Sequence, residues 1–280
     1  MDASVRRFAC TACGKCCNRS PEVELSEAAA LTDVFVFRLM FRLYSLPRRP
    51  ERDREESASL FYQKKRLLAA HAARAYPKKV VRDGKSVERV HYLMISAVAV
   101  DTRSGGCAAL EDRRCGIYER RPLGCRAVPF HYSRPDALSN DDFDAFVSTP
   151  GYLCDVSEKA PVVLDGGRIL DSATLHARVA ALALAEDDRR WKQAIVSRMK
   201  SGHCSLPSLD EVEASAGFAA LTTSMRVAWS IAAEEELLED PTWLVEAQLQ
   251  RIERELSASD CSDRATLAEM AVEYRRALGG

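Results

Sequence analysis

The hydrophobic pattern divides the chain into stretches of different period. Glu22-Val23-Glu24-Leu25 alternates polar and apolar residues, which reads as a short strand or an extended lead-in. Ser26 then offers an N-cap. Ala29, Leu31, Val34, Phe35, Phe37, Leu39, Phe41 and Leu43 follow densely enough to cover most faces of a helix over about 27–45. A helix apolar all round belongs at the centre of a fold. Pro47 to Glu56 is a mixed-charge run that reads as an exposed connection. A second helix is expected over about 57–75, with Leu60, Leu67, Leu68, His71 and Ala75 roughly on one face and Pro77 as its terminator. Asp83-Gly84 lies between Val80-Val81 and the run Val87–Val100, and predicts a β-hairpin with strands near 79–82 and 87–100.

Beyond the Asp165-Gly166-Gly167 turn the period is helical from Leu170 onward. Leu175, Val179 and Leu182 share one face, as do Leu221, Met225, Ala228 and Ala232. Val245, Leu249, Ile252 and Leu256 form a third stripe, and Leu267, Met270, Tyr274 and Leu278 a fourth. Ser208 and Glu211 have the spacing of a capping box, and Asp240-Pro241 supplies an N-cap followed by a first-turn proline. The expected architecture is α+β, mainly α: cysteine-rich loops with a small β-hairpin, followed by a C-terminal helical layer. The division expected is a domain over residues 1–168 and a helical region over 169–280 packed on it.

Composition narrows the partners. The 280 residues are 47% apolar and 29% charged with a net charge of −1, so electrostatics gives no reason to expect nucleic acid or an anionic membrane. Leu31 to Leu46 is broken by Asp33, Arg38 and Arg42, too short and charged for a membrane span. Met1 to Arg7 lacks the apolar core of a secretory signal. A cytoplasmic location is therefore expected, where reducing conditions favour thiols as metal ligands over disulfides.

Ten cysteines change the picture most. Four of them, Cys10, Cys13, Cys16 and Cys17, fall within eight residues. Soft thiolates select zinc, copper(I) or iron–sulfur clusters. The Cys-x-x-Cys-x-x-Cys string matches the first three cysteines of a bacterial ferredoxin-type run, whose fourth ligand lies farther away. Adjacent side chains diverge, so Cys16 and Cys17 serve two centres, or bridge one multinuclear centre, or only one of them is a ligand. Cys107, Cys115 and Cys125 form a second region, followed by Cys154. Cys204 and Cys261 stand alone and are not expected to be ligands. The five histidines show no metal-ligand spacing; His131 is nearest the cysteines in sequence. Arg120, Arg121 and Arg126 are candidates for holding the loop or balancing thiolate charge. No phosphate-binding loop, dinucleotide fingerprint, nucleophile elbow or zinc-protease motif occurs, and the catalytic residues, if any, are unknown.

The string Cys115-Gly116-Ile117-Tyr118-Glu119-Arg120-Arg121-Pro122-Leu123-Gly124-Cys125-Arg126-Ala127-Val128-Pro129, taken with Phe8 to Cys17, resembles the YkgJ-like cysteine-cluster family, described as chelating zinc or iron. The resemblance covers about residues 8–31 and 105–155. It implies metal ligands at Cys10, Cys13, Cys16, Cys17, Cys107, Cys115 and Cys125, with Cys154 in the position of a further downstream cysteine. Relative to compact members, residues 48–100 look like an insertion.

Three functions follow as expectations. The first is a metal-binding protein holding an iron–sulfur cluster, [4Fe–4S], or iron, with zinc as the alternative, and serving as a redox or enzyme component. The second is a zinc-stabilised interaction module without catalysis, its protein partner meeting the C-terminal helices. The third is a transferase like the flagellin lysine methylases, which carry a related cysteine pattern.

Overall fold

The computed structural model describes residues 5–17, 20–49, 58–103, 106–112, 114–216 and 218–279. Among the described residues ten strands and ten α-helices follow in chain order: β1 (Val5–Arg7), β2 (Glu22–Val23), α1 (Leu25–Ala29), β3 (Phe37–Pro47), α2 (Ala58–His71), β4 (Arg74–Arg82), β5 (Lys85–Ala99), β6 (Leu110–Glu111) and β7 (Arg114–Cys115). Then come α3 (Leu123–Arg126), α4 (Ser139–Val147), β8 (Val162–Asp165), β9 (Arg168–Ile169), α5 (Ser172–Asp187), α6 (Arg189–Lys200), α7 (Leu209–Ser215), β10 (Leu221–Ser224), α8 (Met225–Glu234), α9 (Thr242–Ser257) and α10 (Arg264–Gly279). The architecture is α+β, 44% helix and 23% strand, with three antiparallel sheets. Among the described residues no helix is long and apolar enough to cross a membrane.

The central sheet runs β10-β3-β5-β2, and β4 pairs with the other half of β5, on the edge that β2 also uses. The predicted hairpin is present as β4 and β5, turning at Asp83-Gly84, where both residues have positive φ. The predicted helix over 27–45 is not. Only Leu25–Ala29 is helical, and Phe37–Pro47 is a strand paired with β5 from Phe37↔Ala99 to Pro47↔Arg89. Phe37, Leu39, Phe41 and Leu43 are buried at every second position, with Arg38 and Arg42 between them. That is the strand period of two. Buried Val36 and Met40 thicken the run until it also fits a helix. The aromatic and alternating character, with a long partner strand available, decides for the sheet.

The second predicted helix stops earlier than expected, at His71, and its expected first residue lies outside the described residues, as do Pro50 to Glu56 of the charged connection. Pro77 ends no helix; it sits in β4, an edge strand, where its missing N–H costs no ladder bond. Most of the C-terminal helices follow their stripes, and the capping box of Ser208 and Glu211 is formed on both sides. Leu221 is the exception in its stripe, because it opens β10 rather than α8. On α5 the apolar stripe of Leu175, Val179 and Leu182 faces solvent; the buried face is Thr174, Ala177, Ala181 and Ala185. Small residues let α3 lie close against α5, where Leu123 and Ala127 pack on Ala177 and Ala181. This contact seats the turn that carries Cys125.

Helix α9 is tied to the sheet by Gln248, fully buried. Its side-chain carbonyl accepts from Phe37 N at 2.8 Å, and its amide donates to Thr32 O at 3.0 Å and Phe35 O at 2.6 Å. It thereby satisfies backbone groups in the irregular stretch before β3.

A buried ionic cluster joins three elements beneath the sheet. Glu24 accepts hydrogen bonds from Lys192 Nζ and, at 3.1 Å, from His71 Nδ1 in the tautomer that protonates that nitrogen. Lys192 Nζ also reaches His71 O at 3.5 Å. The lead into α1, the end of α2 and the start of α6 meet here. Burial pushes the Glu24 carboxyl up, but the His71 hydrogen bond and the Lys192 charge outweigh it and hold it below its ordinary 4.5. Removing one member of such a pair strands a buried charge, at about 3–5 kcal/mol. Glu24→Gln is therefore expected to destabilise the fold by about that amount at pH 7, read by urea unfolding. Because the folded-state value is depressed, the wild-type advantage is complete above pH 4.5 and shrinks as pH falls through the folded value. An advantage of wild type that stays constant down to about pH 3 would contradict this assignment.

Candidate metal centre

The first cysteine string is an irregular loop held at both ends. Phe8 donates its N–H to Pro161 O at 3.0 Å and buries its ring with Phe130, Phe143, Val163, Leu164 and Ile169. Ala9 and Asp155 form an antiparallel bridge, Ala9 N to Asp155 O at 2.8 Å and Asp155 N to Ala9 O at 3.1 Å. The bridge brings Cys154 beside Cys10. Thr11 Oγ1 donates to Leu153 O at 2.8 Å and fastens the same two segments. The loop then turns through Ala12 at φ 55° and Gly14 at φ 70°, both left-handed, and closes with Cys17 N on Gly14 O at 3.2 Å. Gly14 adopts this conformation without the strain a side chain brings.

Backbone amides in this loop point at sulfur. Ala12 N donates to Cys10 Sγ at 3.4 Å. Burial pushes the Cys13 thiol up, but hydrogen bonds from the Lys15 and Leu153 backbone and from Thr11 outweigh it and draw it below the usual thiol value. Such bonds favour the thiolate, the form that binds metal.

The second region is fastened to the end of the first. Cys107 N donates to Cys17 O at 2.9 Å. At Gly106 a Cβ would crowd Leu110 Cδ1 at 3.0 Å while making only an ordinary contact with Cys17 O at 3.5 Å. Leu110 N returns to Cys107 O at 3.0 Å, and Leu110 pairs with Cys115 across the β6–β7 ladder. Cys125 follows on α3, which Glu27 caps from across the fold by accepting Leu123 N at 2.7 Å. Arg120 braces the same loop through Asp33, at 3.0 Å, and Ala30 O, at 3.2 Å.

The eight predicted ligands lie on loops that these backbone bonds fasten to one another. The Cys154 thiol is pushed up to about 11, first by burial and then by the charges of Cys16, Cys13 and Cys10. The Cys125 thiol is pushed up to about 12, by burial and then by Cys107 and Cys115. Cys17 is raised by its hydrogen bond with Cys16, by burial, and by the charges of Cys16, Cys125 and Cys107. By these charge effects Cys154 responds to Cys16, Cys13 and Cys10, Cys125 responds to Cys107 and Cys115, and Cys17 responds to Cys16 as well as to Cys125 and Cys107. Among the described residues no three of these side chains stand in a metal-ligating array. Two sets of four thiols fit a soft metal in donor type and number.

Cys204 is exposed and Cys261 is half-buried. His131 stacks on Tyr132 and meets Ser133 Oγ through Nδ1 at 2.9 Å. Arg121 lies over the Tyr118 ring, 3.7 Å from its centroid, and its charge favours the thiolates of both Cys16 and Cys125. Glu27 and Thr11 were not legible as site residues. Their partners lie 96 and 142 positions away, and no local pattern marks them.

The Cys16 thiol is drawn down to about 7 by its hydrogen bond with Cys17, against burial, with help from its own amide and Arg121. At pH 7.5 it is mostly thiolate, whereas Cys125 and Cys154 are almost wholly protonated. In metal-free, reduced protein, iodoacetamide is expected to modify Cys16 well before Cys125 and Cys154, as read by peptide mass spectrometry. Equal rates at the three positions would contradict the assignment.

No curated protein and no solved structure matches the chain. A family model does, over residues 9–154, which is more than half of the chain and spans all eight clustered cysteines. Its description is "Putative zinc- or iron-chelating domain". The chain belongs to this CxxCxxCC family of metal-chelating cysteine domains.

Proposed function

We propose that the protein binds metal at two adjacent four-cysteine centres, one on Cys10, Cys13, Cys16 and Cys154 and one on Cys17, Cys107, Cys115 and Cys125, and that the first holds a [4Fe–4S] cluster. The placement of Cys154 beside the Cys10 string carries this reading. Three cysteines at Cys-x-x-Cys-x-x-Cys spacing with a remote fourth are the ligand pattern of such a cluster. The second set, drawn from three separate segments, suits a single zinc or iron ion in a closed tetrahedron.

Four thiolates leave no coordination position for a substrate, which favours electron transfer or structural support over Lewis-acid chemistry. A bound cluster would supply one-electron redox chemistry. The chain's own residues fix the thiolates: amides of Ala12, Lys15 and Leu153 stabilise their charge, Arg121 balances part of it, and Phe8 with its apolar neighbours shields one flank. We place this activity in a reducing compartment such as the cytoplasm, where the thiols stay available. A zinc-only reading, in which both centres are structural and the C-terminal helices meet a partner, is favoured by the same closed sets and differs in colour.

Anaerobically purified protein is expected to be brown, with iron and acid-labile sulfide from one cluster and one further metal ion per chain. Cys16→Ser and Cys154→Ser should remove the colour and sulfide while keeping the second ion. Cys17→Ser and Cys107→Ser should do the reverse. Colourless wild type with two zinc ions would replace the cluster by zinc; loss of both centres from each of the four variants would overturn the division.

A further inference from the structure

The segment between β5 and Cys107 is gripped from two sides. On the side of the first cysteine string, Ser20 N donates to Asp101 Oδ1 at 2.7 Å, and Cys107 N reaches Cys17 O. On the other side stands the turn between α9 and α10, which lies beyond the matched family domain. There Ser262 N donates to Thr102 O at 3.0 Å and Ser262 Oγ to Asp101 O at 2.6 Å, while Arg103 and Cys261 form a backbone bridge.

Arg103 spans the two. Its Nη1 donates to Leu110 O at 3.3 Å, on the residue paired with Cys115. Its Nε faces Glu255 Oε2 of α9 at 3.9 Å. Glu255 is 2% exposed and its other oxygen is held by Arg251. Arg103 Nε and Glu255 Oε2 are both buried, and neither has a hydrogen-bond partner in the structure. A buried charged pair left this far apart forfeits its hydrogen bond, and a shift of about 1 Å would form one of normal length.

We propose that Arg103 is a positioning residue for the second cysteine group, and that through Glu255 it links that group's metal to the α9–α10 hairpin. This rests on the two-centre reading above. Metal that draws Cys107 and Cys115 together closes the Arg103–Glu255 pair and firms the hairpin, and the hairpin in turn favours the loaded loop, as linkage requires.

The test titrates reduced, metal-free full-length chain with Co2+ alone under anaerobic conditions and follows the thiolate-to-cobalt absorption. Wild type should take up two equivalents; one or none would fail the two-centre reading itself. With two taken up, Arg103→Gln and Glu255→Gln should each weaken one equivalent by about 10- to 100-fold, the range for residues that orient ligands, and leave the other unchanged. Placed in a Cys107→Ser chain, Arg103→Gln should have no further effect on cobalt. Hydrogen exchange in α9 and α10 should slow on loading in wild type and not in Arg103→Gln. If Arg103→Gln does not fold, Arg103→Lys keeps the charge but not the two-armed contact and should show a smaller weakening of the same equivalent. Equal weakening of both equivalents, or unchanged binding in a folded variant, would overturn the proposal.

Discussion

The cysteine loops depend on two backbone contacts that fasten segments far apart in the chain. By charge, Cys154 responds to Cys16, Cys13 and Cys10, and Cys17 responds to Cys16, Cys125 and Cys107. Each loop is secured in part by backbone, beside the packing of Phe8 and the Thr11 side-chain bond. The Ala9–Asp155 bridge fixes the first, and the Cys107 N–H on Cys17 O fixes the second. Backbone bonds suit loops whose side chains are reserved for metal, because they satisfy buried polar groups without using the thiols. Between the two neighbouring thiols the effect is asymmetric: Cys16 is drawn down and Cys17 is pushed up.

The rest of the fold supplies rigidity to those loops. The β3–β5 pair forms the floor, and α1 stands between it and the Cys125 turn. From there Glu27 reaches Leu123 N, while the preceding Glu24 is locked to His71 and Lys192. The alanine face of α5 lets α3 settle close behind Cys125. On the opposite side, Gln248 and the α9–α10 turn hold the approaches to β3 and to Cys107. Helices outside the family domain therefore touch the segment that carries a ligand.

Local signals were legible in the sequence where a single segment decides its own structure. Asp83-Gly84 announced its hairpin, Ser208-Leu209-Asp210-Glu211 its capping box, and the cysteine strings their chemistry and family. The failures share a cause. Whether Phe37 to Leu43 becomes helix or strand depends on β5, some fifty residues later, and the run's own apolar density fits both. Leu175, Val179 and Leu182 make a stripe that the helix nonetheless turns outward, because the close approach of α3 selects the alanine face. The grouping of the cysteines was equally hidden. Spacing singles out eight thiols, but the contacts that fasten their loops, Ala9 with Asp155 and Cys17 with Cys107, join segments far apart in the chain.

The division at Cys16-Cys17 is tested most directly by stepwise metal release under alkylation. Loaded protein is exposed to limiting chelator with iodoacetamide present, and intact chains are sorted by label number before peptide mapping. Exposed Cys204 should be labelled throughout. Further labels should then appear in sets of four, each set being either Cys10, Cys13, Cys16 and Cys154 or Cys17, Cys107, Cys115 and Cys125. Chains in which Cys16 and Cys17 gain their labels together while the other six thiols stay protected, or in which labels accumulate one at a time, would contradict two separate centres.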